Sequence, residues 1–274
     1  MSSIAKFADR PDAKERRRAA LLHQFAPPNC ATATHMFQSH VPHHNTGAFT
    51  SHRVRLPDKE YGEALDCLVK ACSDMLLLSP DGARVFVGKR CVHPQPDWWF
   101  VGGRIFPGET PVQSCCRLLH RELSLEIAPD RFQTVCCQSL AWGMRTQPPE
   151  AHGTTDSQVV LSLRLTEEEV TKVVLDPKEY TDAKWLPPAE ILGGHFHPAL
   201  KYAVASLLAA QKLAELRAAC ERGDDTSDDA TLARLAREFS ALADAAGAQA
   251  ANDGAAAYRV VAPELSYECD VTTS

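Results

Sequence analysis

The stretch that most constrains the fold is "GGRIFPGETPVQSCCRLLHRELSLEI", Gly102 to Ile127. Gly102 and Gly103 allow backbone to approach another group closely, or to adopt positive φ. Thr110, Pro111 and Gln113 then supply an N-cap, a proline at the first helical position and a capping-box partner, so a helix is predicted from Pro111. Cys115, Leu119 and Leu123 fall at i, i+4 and i+8 and form its buried stripe. Leu118, Arg121 and Glu122 share a neighbouring face, which leaves one carboxylate beside one guanidinium. A glycine loop opening into such a helix suits a metal-bound diphosphate. Acidic residues, however, are sparse where a metal would want them.

The text around this stretch is ordered in the same way. "LPDKEYGEALDCLV" predicts a short helix, and "CSDMLLLSPDGARVFVGKR" two strands joined by a Ser-Pro-Asp-Gly turn. "DWWFVGG" reads as one extended run. "FQTVCCQSLAWGM" and "SQVVLSLRL" read as longer strands, separated by the polar loop "RTQPPEAHGTTD". Thr166 and Glu169 make a second capping box, and "DAKWLP" a last short strand. Strands and helices in this order predict a mixed sheet with helices against it, an α/β (α+β) sandwich.

The chain's ends differ in kind. Residues 1–56 read as an extension with a short helix from Pro11 and a His-rich loop carrying His35, His40, His43 and His44. Residues 206–250 form an Ala- and Leu-rich helical hairpin, the first helix ending near Gly223. In the second, Leu232, Leu235, Phe239 and Leu242 share one face, suited to packing on the domain or on another subunit. Residues 251–274 are a tail.

Bulk properties narrow the function classes. A net charge of -6 argues against a broad nucleic-acid surface, and the apolar runs are too short to cross a bilayer. Ten cysteines form no C-x-x-C pair, which points to reduced thiols, and the acid-containing N-terminus makes the cytoplasm the default over an organelle.

The central stretch resembles the Nudix box, G-x5-E-x7-R-E-U-x-E-E-x-G-U with U a bulky aliphatic residue. Gly103, Glu109, Arg117, Leu119, Glu122 and Leu125 match in register. Leu118 and Arg121 stand where two metal-binding glutamates are usual, and Ser124 stands for the last glycine. Over residues 57–205 the chain is similar to the GDP-mannose mannosyl hydrolase branch, which also has leucine at the first of these positions. The resemblance implies a Nudix α/β/α sandwich and one divalent ion, Mg²⁺ or Mn²⁺, on the substrate diphosphate. Water would attack the sugar's anomeric carbon and a nucleoside diphosphate would leave. By position it implies the Gly102 carbonyl, Glu122 and Glu179 as metal ligands, Arg90 and Arg104 on the diphosphate, and Asp74 as a supporting carboxylate.

Two departures set alternatives beside that reading. The branch's general base, a histidine after the closing-loop ligand, is here Tyr180, a phenol with a pKa near 10. Glu179, His195 or His197 could take its place, although the histidines precede a long helix and suit a capping loop. Arg121 puts a unit charge beside the metal position, costing about 8 kcal/mol at 4 Å and an effective dielectric of 20, unless it turns away or contacts phosphate. Glu109 with Arg117 reads as a structural pair, and Trp98 or Trp99 as a stacking surface, one of the two facing the core. The alternatives are a catalytically reduced Nudix domain serving as a binding or scaffold subunit, and an ordinary nucleoside diphosphate pyrophosphohydrolase. A homodimer or larger assembly through the extensions fits each.

Overall fold

The computed structural model describes residues 41–221, 229–250, 256–260 and 269–273. The expected helix after Pro11, His35 and His40 lie outside the described residues. His43 and His44 are exposed.

The helix α1 (Asp58–Cys67) leads into β1 (Lys70–Leu78), the centre of a seven-stranded mixed sheet. On one edge β1 pairs antiparallel with β2 (Val85–Arg90) and β4 (Val101–Arg104); on the other it pairs parallel with β6 (Thr154–Arg164). β5 (Gln133–Trp142) extends the sheet beyond β6, while β3 (Trp98–Trp99) and β7 (Tyr180–Leu186) both pair with β2. Burial on both faces accounts for the unbroken apolar run Met75–Leu78 that ends β1. Met75 and Leu77 join one core with Leu118, Leu119 and Leu123 of α2 (Pro111–Leu123). Leu76 and Leu78 join the other with Leu200, Ala203, Val204 and Leu207 of α5 (Pro198–Glu221). The short α3 (Glu167–Thr171) and α4 (Pro188–Gly193) flank β7 in sequence. The result is the expected α/β/α sandwich.

Its C-terminal helix α6 (Asp229–Ala250) lies along α5 with Leu235 buried, Leu232, Phe239 and Leu242 half-buried, and a Lys212–Glu238 ion pair of 3.1 Å linking the two. β8 (Ala256–Val260) and β9 (Cys269–Thr273) form a separate antiparallel ladder that the tail's composition does not signal.

Two elements differ from the sequence reading. "DWWFVGG" is not one strand: β3 pairs with β2, β4 with β1, and the buried Phe100 lies between them. β6 begins at Thr154, inside the expected polar loop, because Thr154 pairs with Trp142 and Asp156 with both Leu140 and Lys70.

The histidine pair before α5 divides. His197 is buried, its Nδ1 accepts the Ala199 N–H at 3.1 Å, and its ring packs edge-on against Trp99 at 5.1 Å. It caps α5 inside the second core, and burial pushes its pKa down to about 4.

Candidate functional site

The loop between β4 and α2 is fixed by Glu109. Its carboxylate accepts the Phe106 N–H at 2.9 Å and a two-pronged contact from Arg117, Nε at 2.7 Å and Nη2 at 2.8 Å. Arg117 also donates to the Arg104 carbonyl at 2.9 Å, so one guanidinium ties β4, the loop and α2 together. Gly108 sits at φ +86°, where a side chain would be strained. The Thr110–Gln113 capping box forms as expected, with reciprocal bonds of 3.1 and 2.8 Å. Ser124 ends α2 at φ 57°. Left-handed backbone costs a residue with a Cβ about 1 kcal/mol. Ser124→Gly is therefore expected to raise unfolding free energy by about that amount in urea titration.

The two glycines serve different ends. Gly102 lies opposite Asp74 in the β1–β4 ladder, and a Cβ there would stand 2.1 Å from the Asp74 Oδ1. A Cβ on Gly103 would meet only Leu118, at 3.5 Å. The pair thus serves close approach at the first position; Gly103 shows neither the contact nor positive φ.

Glu122, on the last turn of α2, is 1% exposed. The Tyr180 hydroxyl donates to its Oε2 at 2.6 Å, and Arg121 Nη2 donates to its Oε1. The ring of Tyr180 packs against Gly88 of β2, where a Cβ would come within 2.5 Å of it. Burial raises the Glu122 pKa against the opposing pull of Tyr180 and Arg121, and burial together with the Glu122 charge lifts the phenol well above its ordinary range. Tyr180 is therefore a hydrogen-bond donor at this site and no general base. Glu179, next in the chain, meets Arg90 Nη2 at 3.3 Å, and its backbone carbonyl accepts the Cys91 N–H at 3.0 Å. Asp74 is buried and accepts from Gln158 Nε2; burial pushes its pKa up to about 8.

The fold thus brings Asp74, Arg90, Gly102, Arg121, Glu122, Glu179 and Tyr180 into one cluster. Arg104 is exposed at the end of β4, its guanidinium over the rings of Tyr61 (4.9 Å) and Phe106 (5.5 Å). Trp98 is framed by Lys184 at 4.6 Å and Lys89 at 5.9 Å, while Trp99 faces the core. Sequence reasoning passed over a polar strip beside Asp74. Gln138 donates to Gln158, Trp142 Nε1 donates to Asp156 at 2.8 Å, and Lys70 pairs with Asp156 at 3.0 Å. The signal was present, since Thr154, Asp156 and Gln158 alternate at the spacing of one strand face.

The donor set decides whether a divalent ion fits. Mg²⁺ needs oxygen ligands that are ionised and free to turn toward it. Glu122 already accepts from a guanidinium and a phenol, and Glu179 faces Arg90. As arranged, Gly102, Glu122 and Glu179 do not fit a divalent ion. The arrangement is chemically one of guanidiniums beside buried, compensated acids, which suits an anionic group.

An α/β/α sandwich whose central strand meets a glycine pair, followed by a glutamate-clamped loop and a capped helix, is the frame in which these side chains are held. The chain belongs to the NUDIX domain family, whose profile matches residues 71–207. Solved structures similar to it include an Ap4A hydrolase of C. elegans, 14% identical with a TM-score of 0.39, the match covering 52% of this chain and 98% of that one. The dihydroneopterin triphosphate pyrophosphohydrolase of E. coli is 19% identical with a TM-score of 0.38, over 50% and 94% of the two chains. The NUDIX domain of Shewanella oneidensis NrtR, complexed with ADP ribose, is 19% identical with a TM-score of 0.36, over 50% and 86%. No curated protein matches. Among the described residues no helix is long and apolar enough to cross a membrane.

Proposed function

We propose that this NUDIX domain binds a nucleoside diphosphate sugar or a related nucleotide without turning it over, as a ligand-binding or scaffold subunit of a larger assembly. The observation that carries this reading is the state of Glu122. The one carboxylate left on the matching face of the box helix is buried and shared between Arg121 and Tyr180. Residues 57–205 are the domain in this reading, and residues 1–56, 206–250 and 251–274 the extensions through which a cytoplasmic homodimer or larger assembly forms.

A second reading is a hydrolase of the GDP-mannose mannosyl type. It is favoured by Leu118, which lies wholly in the core and leaves Glu122 as the lone box-helix carboxylate at the cluster, the pattern of that branch. Water would add to the anomeric carbon, the bond from that carbon to the diphosphate oxygen would break, and nucleoside diphosphate would leave. It requires Mg²⁺ or Mn²⁺, with Arg121 and Arg90 turned away from Glu122 and Glu179. Pyrophosphohydrolysis has least support, because attack on phosphorus draws on helix carboxylates that are Leu118 and Arg121 here.

The test is incubation of the full chain with a panel of nucleotide sugars, with and without Mg²⁺, following products and melting temperature. Raised melting temperatures with no product are expected. Free sugar with nucleoside diphosphate would replace this reading by the second; nucleoside monophosphate with sugar phosphate would replace it by pyrophosphohydrolysis.

A further inference from the structure

Arg121 sits where a cation is wanted, and it is tied there. Its partner Glu122 is buried and fixed from the other side by the Tyr180 hydroxyl, so the guanidinium is anchored at one nitrogen on an immobile carboxylate. The Arg121 side chain is nonetheless 49% exposed. A guanidinium has five N–H donors, so one anchored edge leaves others facing outward. Arg90, in the same cluster, uses Nη2 on Glu179 and keeps a buried Nε with no hydrogen-bond partner. Arg104 lies exposed at the end of the strand that carries Gly102. Planar donor forks of this kind match the oxygens of phosphate groups, and anchoring them beforehand lowers the ordering cost of binding.

We infer that the Arg121 guanidinium stands in for the divalent ion at Glu122, so that Arg90, Arg104 and Arg121 bind the diphosphate of the ligand without metal. This deepens the ligand-binding reading and rests on it. The misfit of the carboxylates to a metal and the orphaned donor of Arg90 then have one explanation. The cation is part of the chain, and the spare N–H groups await phosphate oxygens.

The probe is inorganic pyrophosphate, titrated calorimetrically into the full chain in EDTA and again in excess Mg²⁺; Mn²⁺ alone is titrated separately and followed by its electron paramagnetic resonance signal. Pyrophosphate is expected to bind in EDTA at least as tightly as in Mg²⁺, and Mn²⁺ alone to stay free at micromolar concentration. Arg121→Gln and the exposed Arg104→Gln should each weaken pyrophosphate about tenfold. The second variant keeps the test sound if loss of the Glu122 partner disturbs folding. A Mg²⁺ requirement, Mn²⁺ uptake that Glu122→Gln abolishes, or unchanged affinity in Arg104→Gln and a folded Arg121→Gln would each overturn the inference. Nucleotides that bind only with Mg²⁺ would overturn it while leaving the ligand-binding reading in place. Pyrophosphate binding in EDTA with no nucleotide bound would remove that reading and leave the guanidinium site standing.

Discussion

Gly102→Ala is expected to destabilise the protein by about 3 kcal/mol or more, and Gly103→Ala by less than about 1 kcal/mol. The two residues are adjacent, share one strand and read identically in sequence. At Gly102 a new methyl would stand 2.1 Å from Asp74 Oδ1 and 2.6 Å from the Asp74 Cα. The carboxylate could swing only by leaving Gln158 inside a buried site, and the backbone could yield only by drawing β4 from β1. At Gly103 the methyl would meet Leu118 at ordinary contact distance. Urea denaturation of both variants decides the matter, and equal losses would show that the pair acts through flexibility and not through close approach.

The second large effect is a loss of stability in acid. His197 has a pKa of about 4 in the folded chain against an ordinary value of 6.5. Above pH 6.5 both folded and unfolded forms are neutral there. Between 6.5 and 4 the unfolded chain takes up a proton that the folded chain refuses, so stability falls as pH falls through this window. Integrated over it, the loss is about 3 kcal/mol. His197→Asn keeps a side-chain oxygen to cap Ala199 and removes the titration. Unfolding free energies at pH 7 and pH 4.5 should show the wild type losing about 2 to 3 kcal/mol more than the variant. Parallel losses would mean that His197 is not the group responsible.

Much of this fold was legible because its signals are local. The capping boxes at Thr110 and Thr166, the Cys115–Leu119–Leu123 stripe and the Ser-Pro-Asp-Gly turn depend on residues within a few positions of one another, and each formed as read. What was hidden depended on partners far away in sequence. Thr154 to Asp156 looked like loop because each is polar, and only pairing with Trp142 and Lys70 makes them strand. The split at Phe100 followed from which strand each half met. The candidate site was half legible. The box pointed to Glu122 with a guanidinium beside it, and the wider resemblance to Asp74 and Glu179, but nothing local told that Arg121 would close onto Glu122 instead of pointing outward. Adjacent helical residues point about 100° apart, and only the length of arginine lets its end fold back onto its neighbour.

The contact between Gly88 and Tyr180 couples two positions far apart in the sequence. Because the aromatic ring occupies the space a side chain at position 88 would fill, the two positions are not free to vary separately. A bulkier residue on β2 would demand a smaller one at the start of β7, and with it the phenol would vanish from Glu122. In this chain the missing side chain at Gly88 is therefore what leaves room for the Tyr180 ring and lets its hydroxyl reach Glu122.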